Sequence, residues 1–279
     1  MRGAERERQD HNVAAYVPLA TSCIPRQLDG RAQRGAGGKT RLVLLHGFTQ
    51  TGTSWGPVAR RLEEHFDMLL PDLPGHGGSS QVRAGLWETS ELLAQVVKRP
   101  AFWAGYSMGG RIALHVALAH PELVTSLVLV SANPGIEDPI ARRERQVADE
   151  ALAARVEQEG VEPFLRHWLG QPLFASLSGS AAGLGERLAN TPEGLASSLR
   201  LAGVGTQEPL WGRLEELRAR SLPVLLITGR LDPTYCLHAA RTAELIGPSA
   251  RSIVIEDAGH ACHLEKPAEV AAAISGFCR

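Results

Sequence analysis

Short runs of apolar residues, each ended by glycine, proline or a polar residue, recur along most of this 279-residue chain. A continuous apolar run of about four residues is typical of a strand that is buried on both faces of a parallel sheet. Patterns with helical spacing, such as 111–119, stand between the runs. The alternation predicts an α/β fold with a mostly parallel, doubly wound sheet. The six predicted strands contain Leu42–Leu45, Met68–Leu70, Ala101–Ala104, Leu127–Val130, Val224–Ile227 and Ser252–Ile255.

One long stretch, residues 134–217, breaks this alternation. It contains no strand-like run, and it has helical patterns over 142–158, 163–169 and 191–201. Because structureless loops of that length are rare, we interpret the stretch as an inserted helical cap. Ligands of open α/β sheets bind beyond the carboxyl ends of the strands, so a cap placed there would close the binding site.

The predicted organisation has three parts. Residues 1–37 are polar and rich in arginine and glycine, and we expect them to form a flexible lead-in. Residues 38–133 and 218–279 form the core that contains the sheet, and residues 134–217 form the cap.

The balance of charges excludes several classes of function. With 29 Lys and Arg against 30 Asp and Glu, and no basic stripe, the chain is not expected to bind nucleic acid. No apolar run approaches the roughly 20 residues that span a bilayer, and the charged first residues do not resemble a secretory signal. The four cysteines are isolated, lack the spacing of metal ligands and agree with a reducing compartment. We expect a cytoplasmic protein, either a monomer or a small homo-oligomer.

A nucleophilic serine is indicated by the sequence GYSMGG at 105–110, directly after a predicted strand and before a helical pattern. The pattern G-x-S-x-G at such a junction is typical of a nucleophile elbow. Glycines on both sides permit a cramped turn that exposes the hydroxyl of Ser107 at the start of the helix. The pattern alone is weak evidence, because a chain with 29 glycines can contain it by chance.

The serine needs a base, and the base needs an acid that fixes its tautomer. His260 follows the last predicted strand, and Asp232 follows the strand before it. The chain order Ser107, Asp232, His260 is the order found in α/β-hydrolases. Asp257 and Asp72 are rival acids. We favour Asp232, because Asp257 shares the loop of the histidine and Asp72 is interpreted as part of a tight structural turn.

An oxyanion hole is predicted beside the serine. The sequence His46-Gly47-Phe48 ends the first buried strand, where the backbone N–H of Phe48 could act together with that of Met108.

These motifs resemble the α/β-hydrolase superfamily over about residues 40–279. The resemblance is carried by HGF at 46–48, DLPGHGGS at 72–79, and GH at 259–260 with EKP at 265–267. Within the superfamily, GYSMGGR at 105–111 resembles the 2-succinyl-6-hydroxy-2,4-cyclohexadiene-1-carboxylate synthases, a family of lyases of menaquinone biosynthesis. Further similar segments are NPGI at 133–136, ERQ at 144–146, and Trp168 followed by QPLFASL at 171–177.

A cation near the serine supports the narrower resemblance. Arg111 lies four residues after Ser107 and therefore one turn along the same helix face. Arginine offers a planar bidentate fork to a carboxylate, which hydrolysis of a neutral ester does not need. The resemblance implies Arg111, Arg145 and Arg187 as partners of substrate carboxylates. The remaining predicted substrate-binding residues are Tyr106, Trp168 and His46. The sequence leaves open whether Arg145 and Arg187 reach the pocket. It also leaves open whether Trp168 lines the pocket or packs in the core.

The resemblance implies an elimination and no hydrolysis. The triad serine would act as a general base on a small anionic substrate, pyruvate would leave, and neither a metal nor an organic cofactor would be required. A carboxylic-ester or C–C bond hydrolase with a covalent serine is the alternative, because the same triad serves both reactions.

Overall fold

Seven strands form one sheet in the computed structural model of the protein, which describes residues 19–22 and 39–278. The strand order is β1-β3-β2-β4-β5-β6-β7. Strands β2 to β7 pair in parallel, and the short β1 pairs antiparallel with β3 at the edge. The strands are β1 Thr21–Ser22, β2 Thr40–Leu45, β3 Phe66–Pro71, β4 Ala101–Tyr106, β5 Val124–Val130, β6 Val224–Gly229 and β7 Ala250–Ile255.

Helices connect the parallel strands. They are α1 Gly56–Leu62, α2 Leu86–Val97, α3 Met108–Ala119, α4 Pro139–Glu159, α5 Val161–Leu169, α6 Leu184–Arg187, α7 Pro192–Ala202, α8 Leu214–Ala219, α9 Pro233–Ile246, α10 Cys262–Glu265 and α11 Pro267–Phe277. Short 3-10 turns occur at Gly52–Trp55, Gly77–Ser79, Pro121–Leu123, Pro172–Phe174 and Trp211–Arg213.

The six strands predicted from the apolar runs are confirmed as β2 to β7, and β1 is an addition to them. Side chains alternate between the two faces of the sheet. In β2, for example, Val43 and Leu45 pack in one apolar core, and Leu42 and Leu44 pack in the other. Helices α2, α3, α8 and α9 cover the first face, and α1 and α11 cover the second. This is the doubly wound arrangement that the continuous apolar runs predict.

The segment between β5 and β6 is helical and contains no strand. It has an apolar core of its own, in which Ala153 and Val156 of α4 pack with Phe164 of α5 and Leu195 of α7. Leu210, Leu214 and Leu217 instead pack in the first core of the sheet, and α8 runs across the predicted boundary at 217. We therefore propose that the cap ends before Leu210. The predicted lead-in lies outside the described residues, except for 19–22.

The order of the strands places two loops next to each other. The chain passes from β2 to β3 on one side and then returns to β4 on the other side of β2. The loops that leave β2 and β4 therefore meet at a topological switch point, where open α/β sheets bind ligands. Within residues 19–22 and 39–278, no helix is both long and apolar enough to cross a membrane.

Candidate active site

The turn between β4 and α3 exposes a serine. Ser107 has φ 51° and ψ −110°, a strained conformation for a residue with a side chain. The turn is possible because its neighbours lack side chains: a Cβ on Gly105 would collide with the carbonyl of Gly109, and a Cβ on Gly109 with the carbonyl of Leu45. A backbone hydrogen bond from the Ser107 N–H to Val130 O, 2.8 Å long, fixes the turn against the next strand.

A chain of two hydrogen bonds runs from this serine to a carboxylate. His260 Nε2 lies 3.1 Å from Ser107 Oγ, and His260 Nδ1 lies 2.8 Å from Asp232 Oδ2. His260 and Asp232 are buried, at 2% and 6% exposure. Asp232 is held in turn by the Tyr235 N–H, which donates to its Oδ1 at 3.3 Å. With Nδ1–H directed at the carboxylate, Nε2 is free to accept the serine proton.

The two rival acids lie elsewhere. The side chain of Asp257 is 89% exposed, and its nearest ion-pair partner is Lys266 at 4.0 Å. Asp72 accepts hydrogen bonds from the backbone N–H groups of Gly52 at 2.8 Å and Gly78 at 2.9 Å. Asp72 therefore ties two loops together, and only Asp232 contacts His260.

The loop after β2 carries the first predicted oxyanion donor. Phe48 and Met108 both line the cleft beside Ser107. Thr49, directly after Phe48, has φ 67°, which is unfavourable for a β-branched residue and needs support from its surroundings.

Three side chains supply that support. The Thr49 N–H donates to His76 Nε2 at 3.2 Å, and Asn190 Nδ2 donates to Thr49 O at 2.7 Å. Arg187 Nη1 donates to Thr49 Oγ1. Asn190 and Arg187 come from the cap, so the cap and the core both hold the loop that presents Phe48.

The triad opens into a cleft of about 650 Å³, which includes space open to solvent at its mouth. Core and cap both contribute to its wall. The lining residues are Phe48, Tyr106, Ser107, Met108, Arg111, Arg145, Asp149, Trp168, Leu173, Phe174, Ser198, Leu199, Ala202, Gly203, Val204, Tyr235 and His260.

Two of the three predicted arginines lie in this wall. Arg111 is 8% exposed, and its Nη1 and Nη2 donate to Gln207 Oε1 at 3.0 Å and Ala202 O at 2.8 Å. Burial lowers the pKa of Arg111 to about 10, so the group stays charged at neutral pH. Arg145 is more exposed, and its Nε donates to Asp149 Oδ1 at 2.7 Å.

Arg187 and His46 are not among the lining residues, in contrast to the prediction. Arg187 is 2% exposed and uses its guanidinium within the protein, donating to Ala182 O at 2.7 Å and to Thr49 Oγ1. His46 is fully buried, and its Nε2 accepts the Leu73 N–H at 2.9 Å. Burial lowers the pKa of His46 to about 4, which keeps it a neutral acceptor. Arg187 therefore supports the loop after β2, and His46 joins this loop to the loop after β3.

The predicted aromatic residues do line the cleft. The ring of Tyr106 packs against His263 with a centroid distance of 4.0 Å, and burial raises its pKa. Trp168 contacts the ring of Phe48 at 5.1 Å, and its indole Nε1 has no hydrogen-bond partner among the described residues. A buried indole N–H without a partner is a donor available to a ligand.

Several residues of the cleft were not predicted from the sequence. The ring of Tyr235 packs on His260 at 4.4 Å, and Phe174 lies 6.1 Å from the same imidazole. Tyr235 lies one turn after Asp232 on α9, so helical spacing from the acid could have indicated it. Phe174 lies in QPLFASL at 171–177, so the resemblance to the synthases could have indicated it. Asp149 of the cap had no such signal.

The polar residues of the cleft do not resemble a metal centre. Within the described ranges, no three His, Cys, Asp or Glu side chains are grouped so that they could hold a metal ion. The arrangement is suited to proton transfer by the triad beside a pocket that attracts anions.

Comparisons with known proteins agree with this geometry. The model of the alpha/beta hydrolase family matches residues 42–273. A 2-succinyl-6-hydroxy-2,4-cyclohexadiene-1-carboxylate synthase of Enterobacter sp. (strain 638) is 34% identical and covers 90% of this chain and 96% of the relative. The synthase of Citrobacter koseri is 32% identical and covers 90% and 99%, respectively.

A solved structure, that of MenH from S. aureus, is similar over 88% of this chain and 96% of that chain, with a TM-score of 0.80 and 29% identity. The fold, the nucleophile elbow and the matched length all agree with these proteins. The chain belongs to the α/β hydrolase family, and its relatives in that family include 2-succinyl-6-hydroxy-2,4-cyclohexadiene-1-carboxylate synthases.

Proposed function

We infer that this chain is a lyase of menaquinone biosynthesis. It eliminates pyruvate from 2-succinyl-5-enolpyruvyl-6-hydroxy-3-cyclohexene-1-carboxylate and forms 2-succinyl-6-hydroxy-2,4-cyclohexadiene-1-carboxylate. Two relatives that match this chain over nearly their whole length carry that synthase name. The observation that carries the inference is a triad serine that shares one cleft with Arg111, a buried cation without a carboxylate partner among the described residues.

The proposed reaction begins with removal of the proton on ring carbon 2, next to the succinyl carbonyl. Ser107 takes this proton as it passes its own to His260, and Asp232 stabilises the imidazolium. The electron pair of the C–H bond forms the C2=C3 double bond, and the C3=C4 pair moves to C4=C5. The C5–O bond breaks, and the departing enolpyruvate takes up one proton and becomes pyruvate. His260 gives up its proton in the same turnover, so that the triad returns to its starting state. The elimination is redox-neutral and needs no electron carrier.

The oxyanion hole stabilises the charge that develops during this step. As the ring proton leaves, negative charge moves to the oxygen of the succinyl carbonyl. We propose that the N–H groups of Phe48 and Met108 donate to that oxygen, because both residues line the cleft beside Ser107. Such donors are effective when they are held in place before the reaction. The hydrogen bonds on Thr49 provide this support for Phe48.

We propose that the two arginines of the cleft bind the carboxylates of the substrate. Arg111 lies one turn after Ser107 on α3, and Arg145 lies on the cap. The partner is thus a small anionic molecule. We expect no nucleic-acid partner, because the charge of the chain is nearly balanced. We propose that the reaction takes place in the cytoplasm, with which the isolated cysteines agree.

The experiment that tests this function offers the protein two substrates. Pyruvate release from the cyclohexene substrate is followed with lactate dehydrogenase and NADH, and phenol release is followed from a neutral aryl acetate. We expect catalytic pyruvate release that exceeds ester hydrolysis by orders of magnitude in kcat/KM. Efficient ester hydrolysis without pyruvate release would instead identify a serine hydrolase.

A further inference from the structure

The two arginines of the cleft have different partners. Arg145 Nε contacts Asp149, a carboxylate whose side chain is only 2% exposed. Arg111 donates to an amide oxygen, that of Gln207, and to a backbone carbonyl, that of Ala202. Among residues 39–278, no carboxylate lies within ion-pair distance of the Arg111 guanidinium. Its positive charge is therefore held by hydrogen bonds without a direct ion pair. Asp149 attracts this charge from a longer distance, but its carboxylate is paired with Arg145.

The contact with Gln207 is not explained by local stability. Gln207 is 2% exposed, and its Nε2 has no hydrogen-bond partner among the described residues. A buried amide N–H without a partner costs about 1–3 kcal/mol. The amide cannot be reversed, because its NH2 group would then face the N–H groups of Arg111. An apolar side chain of similar size would avoid this cost, and a glutamate would make a stronger bond to Arg111.

The fold fixes the segment that carries Gln207 against the loop after β5. The Leu210 N–H donates to Pro134 O at 2.7 Å, and Trp211 Nε1 donates to Gly135 O at 2.8 Å. Gly135 has φ 108°, and a Cβ at this position would approach Gln207 Nε2 to 3.2 Å. The glycine therefore leaves room for the amide, and the orientation of Gln207 towards Arg111 is determined by its surroundings.

We propose that Gln207 is a positioning residue that orients Arg111 while leaving its positive charge available to a carboxylate of the substrate. The inference rests on the proposed function for the identity of that substrate. Neutrality of the acceptor is the essential property: glutamine supplies the oxygen that holds the guanidinium without the charge that would cancel it.

Two substitutions separate this role from a structural one. Gln207→Glu keeps the hydrogen bond to Arg111 and adds a negative charge, whereas Gln207→Met removes the hydrogen bond and adds no charge. Gln146→Glu is the matched control, because it adds the same charge on the cap at a residue that does not line the cleft. Kinetic constants are measured for pyruvate release and for hydrolysis of a neutral aryl acetate. Succinate is titrated into each protein as a dicarboxylate probe.

We expect Gln207→Glu to raise KM for the cyclohexene substrate, and to weaken succinate binding, by about 10-fold or more, the effect of one charge-assisted pair. Gln207→Met should change both values less than Gln207→Glu does. Ester hydrolysis should be similar in both variants, and Gln146→Glu should resemble the unmodified protein. A structural role predicts the reverse order, since glutamate would preserve the contact and methionine would not; that order would overturn the proposal.

The succinate titration keeps the two proposals distinguishable. If the protein released no pyruvate, the proposed function would fail, while the order of the variants in succinate affinity would still decide the role of Gln207. Thermal unfolding shows whether each variant is folded. If Gln207→Glu did not fold, Gln207→Met would decide: it should bind succinate within about threefold of the unmodified protein, and a loss as large as that of Arg111→Ala would contradict the proposal.

Discussion

The core and the cap contribute different kinds of groups to the cleft. The core supplies Ser107, Asp232 and His260, each in a loop at the carboxyl end of a strand, and their side chains are joined by hydrogen bonds of 2.8 and 3.1 Å. The cap supplies Trp168 and Arg145, which stand on helices around a separate apolar core. The difference indicates that the core determines which bond reacts, and that the cap helps to determine which molecule reaches it.

Arg111 joins the two regions. It belongs to α3 of the core, but its guanidinium is held by Ala202 and Gln207, which lie in the cap. A change in the core triad should therefore abolish reactions of every substrate, and a change at Arg111 should affect anionic substrates selectively.

The largest effect is expected for the serine of the core. Ser107→Ala removes the base, so kcat for pyruvate release should fall by at least about 1000-fold. Hydrolysis of an aryl acetate should be lost as well, and thermal unfolding should be nearly unchanged. A folded variant that keeps more than a tenth of the activity would rule out Ser107 as the base.

A smaller but still severe loss is expected for the acid. Asp232→Asn removes the charge that fixes the tautomer of His260, so kcat should fall by about 100-fold or more. Asp257→Asn is the matched control, because the carboxylate of Asp257 is exposed and lies in the same loop as the histidine. Severe loss in the control together with mild loss in Asp232→Asn would show that the wrong acid has been chosen.

A selective effect is expected at Arg111. Arg111→Ala leaves a substrate carboxylate without its partner, which should cost about 1.5–3 kcal/mol, or roughly 10- to 150-fold in kcat/KM for pyruvate release. Hydrolysis of a neutral aryl acetate should hardly change. Arg230→Ala, which removes an exposed arginine paired with Glu256, is the control. Equal losses on both substrates would mean that Arg111 only supports the elbow.

The smallest effect is expected for the buried histidines of the core. They should not affect activity near neutral pH, but they should make the free energy of unfolding depend on pH. Burial lowers the pKa of His46 to about 4, of His76 to about 3 and of His115 to about 4. The unfolded chain takes up these protons near pH 6.5 and the folded chain does not. The free energy of unfolding should therefore fall as pH drops from about 6.5 to 5, by about 1.4 kcal/mol per pH unit for each histidine.

Denaturant unfolding at several pH values checks this expectation. His115 lies away from the loop after β2. His115→Gln should therefore reduce the slope of the free energy of unfolding against pH by the contribution of one proton. A free energy of unfolding that stays constant over this pH range would contradict the proposed neutral state of these histidines.

Much of the fold could be predicted from the sequence because strands buried on both faces have a simple signature. Runs such as Leu42–Leu45 must be apolar at every position, and β2 to β6 were found in this way. The edge strand β7 is mostly exposed and was found from its apolar end at Ile253–Ile255. The edge strand β1 could not be found, because Thr21–Ser22 is short and polar. The end of the cap could not be predicted either, because Leu210 and Leu214 have helical spacing whether they pack on the cap or on the sheet.

The triad could be predicted from the sequence more fully than the substrate-binding residues. Ser107, Asp232 and His260 stand at strand ends, and their positions follow from the strand pattern. Arg187 shows the opposite: an arginine in a helical segment can point to the cleft or away from it, and here it supports Thr49. Gln207 carries no sequence signal, because its importance depends on a contact with a residue 96 positions away.

The central claim is that the core serine acts as a base and forms no covalent intermediate. Intact-protein mass spectrometry of samples quenched during turnover of the cyclohexene substrate tests it directly. We expect pyruvate release in multiple turnovers while the mass of the chain stays unchanged. A mass increase that appears during turnover, and that is absent in Ser107→Ala, would show a covalent serine mechanism and rule out Ser107 as a simple base.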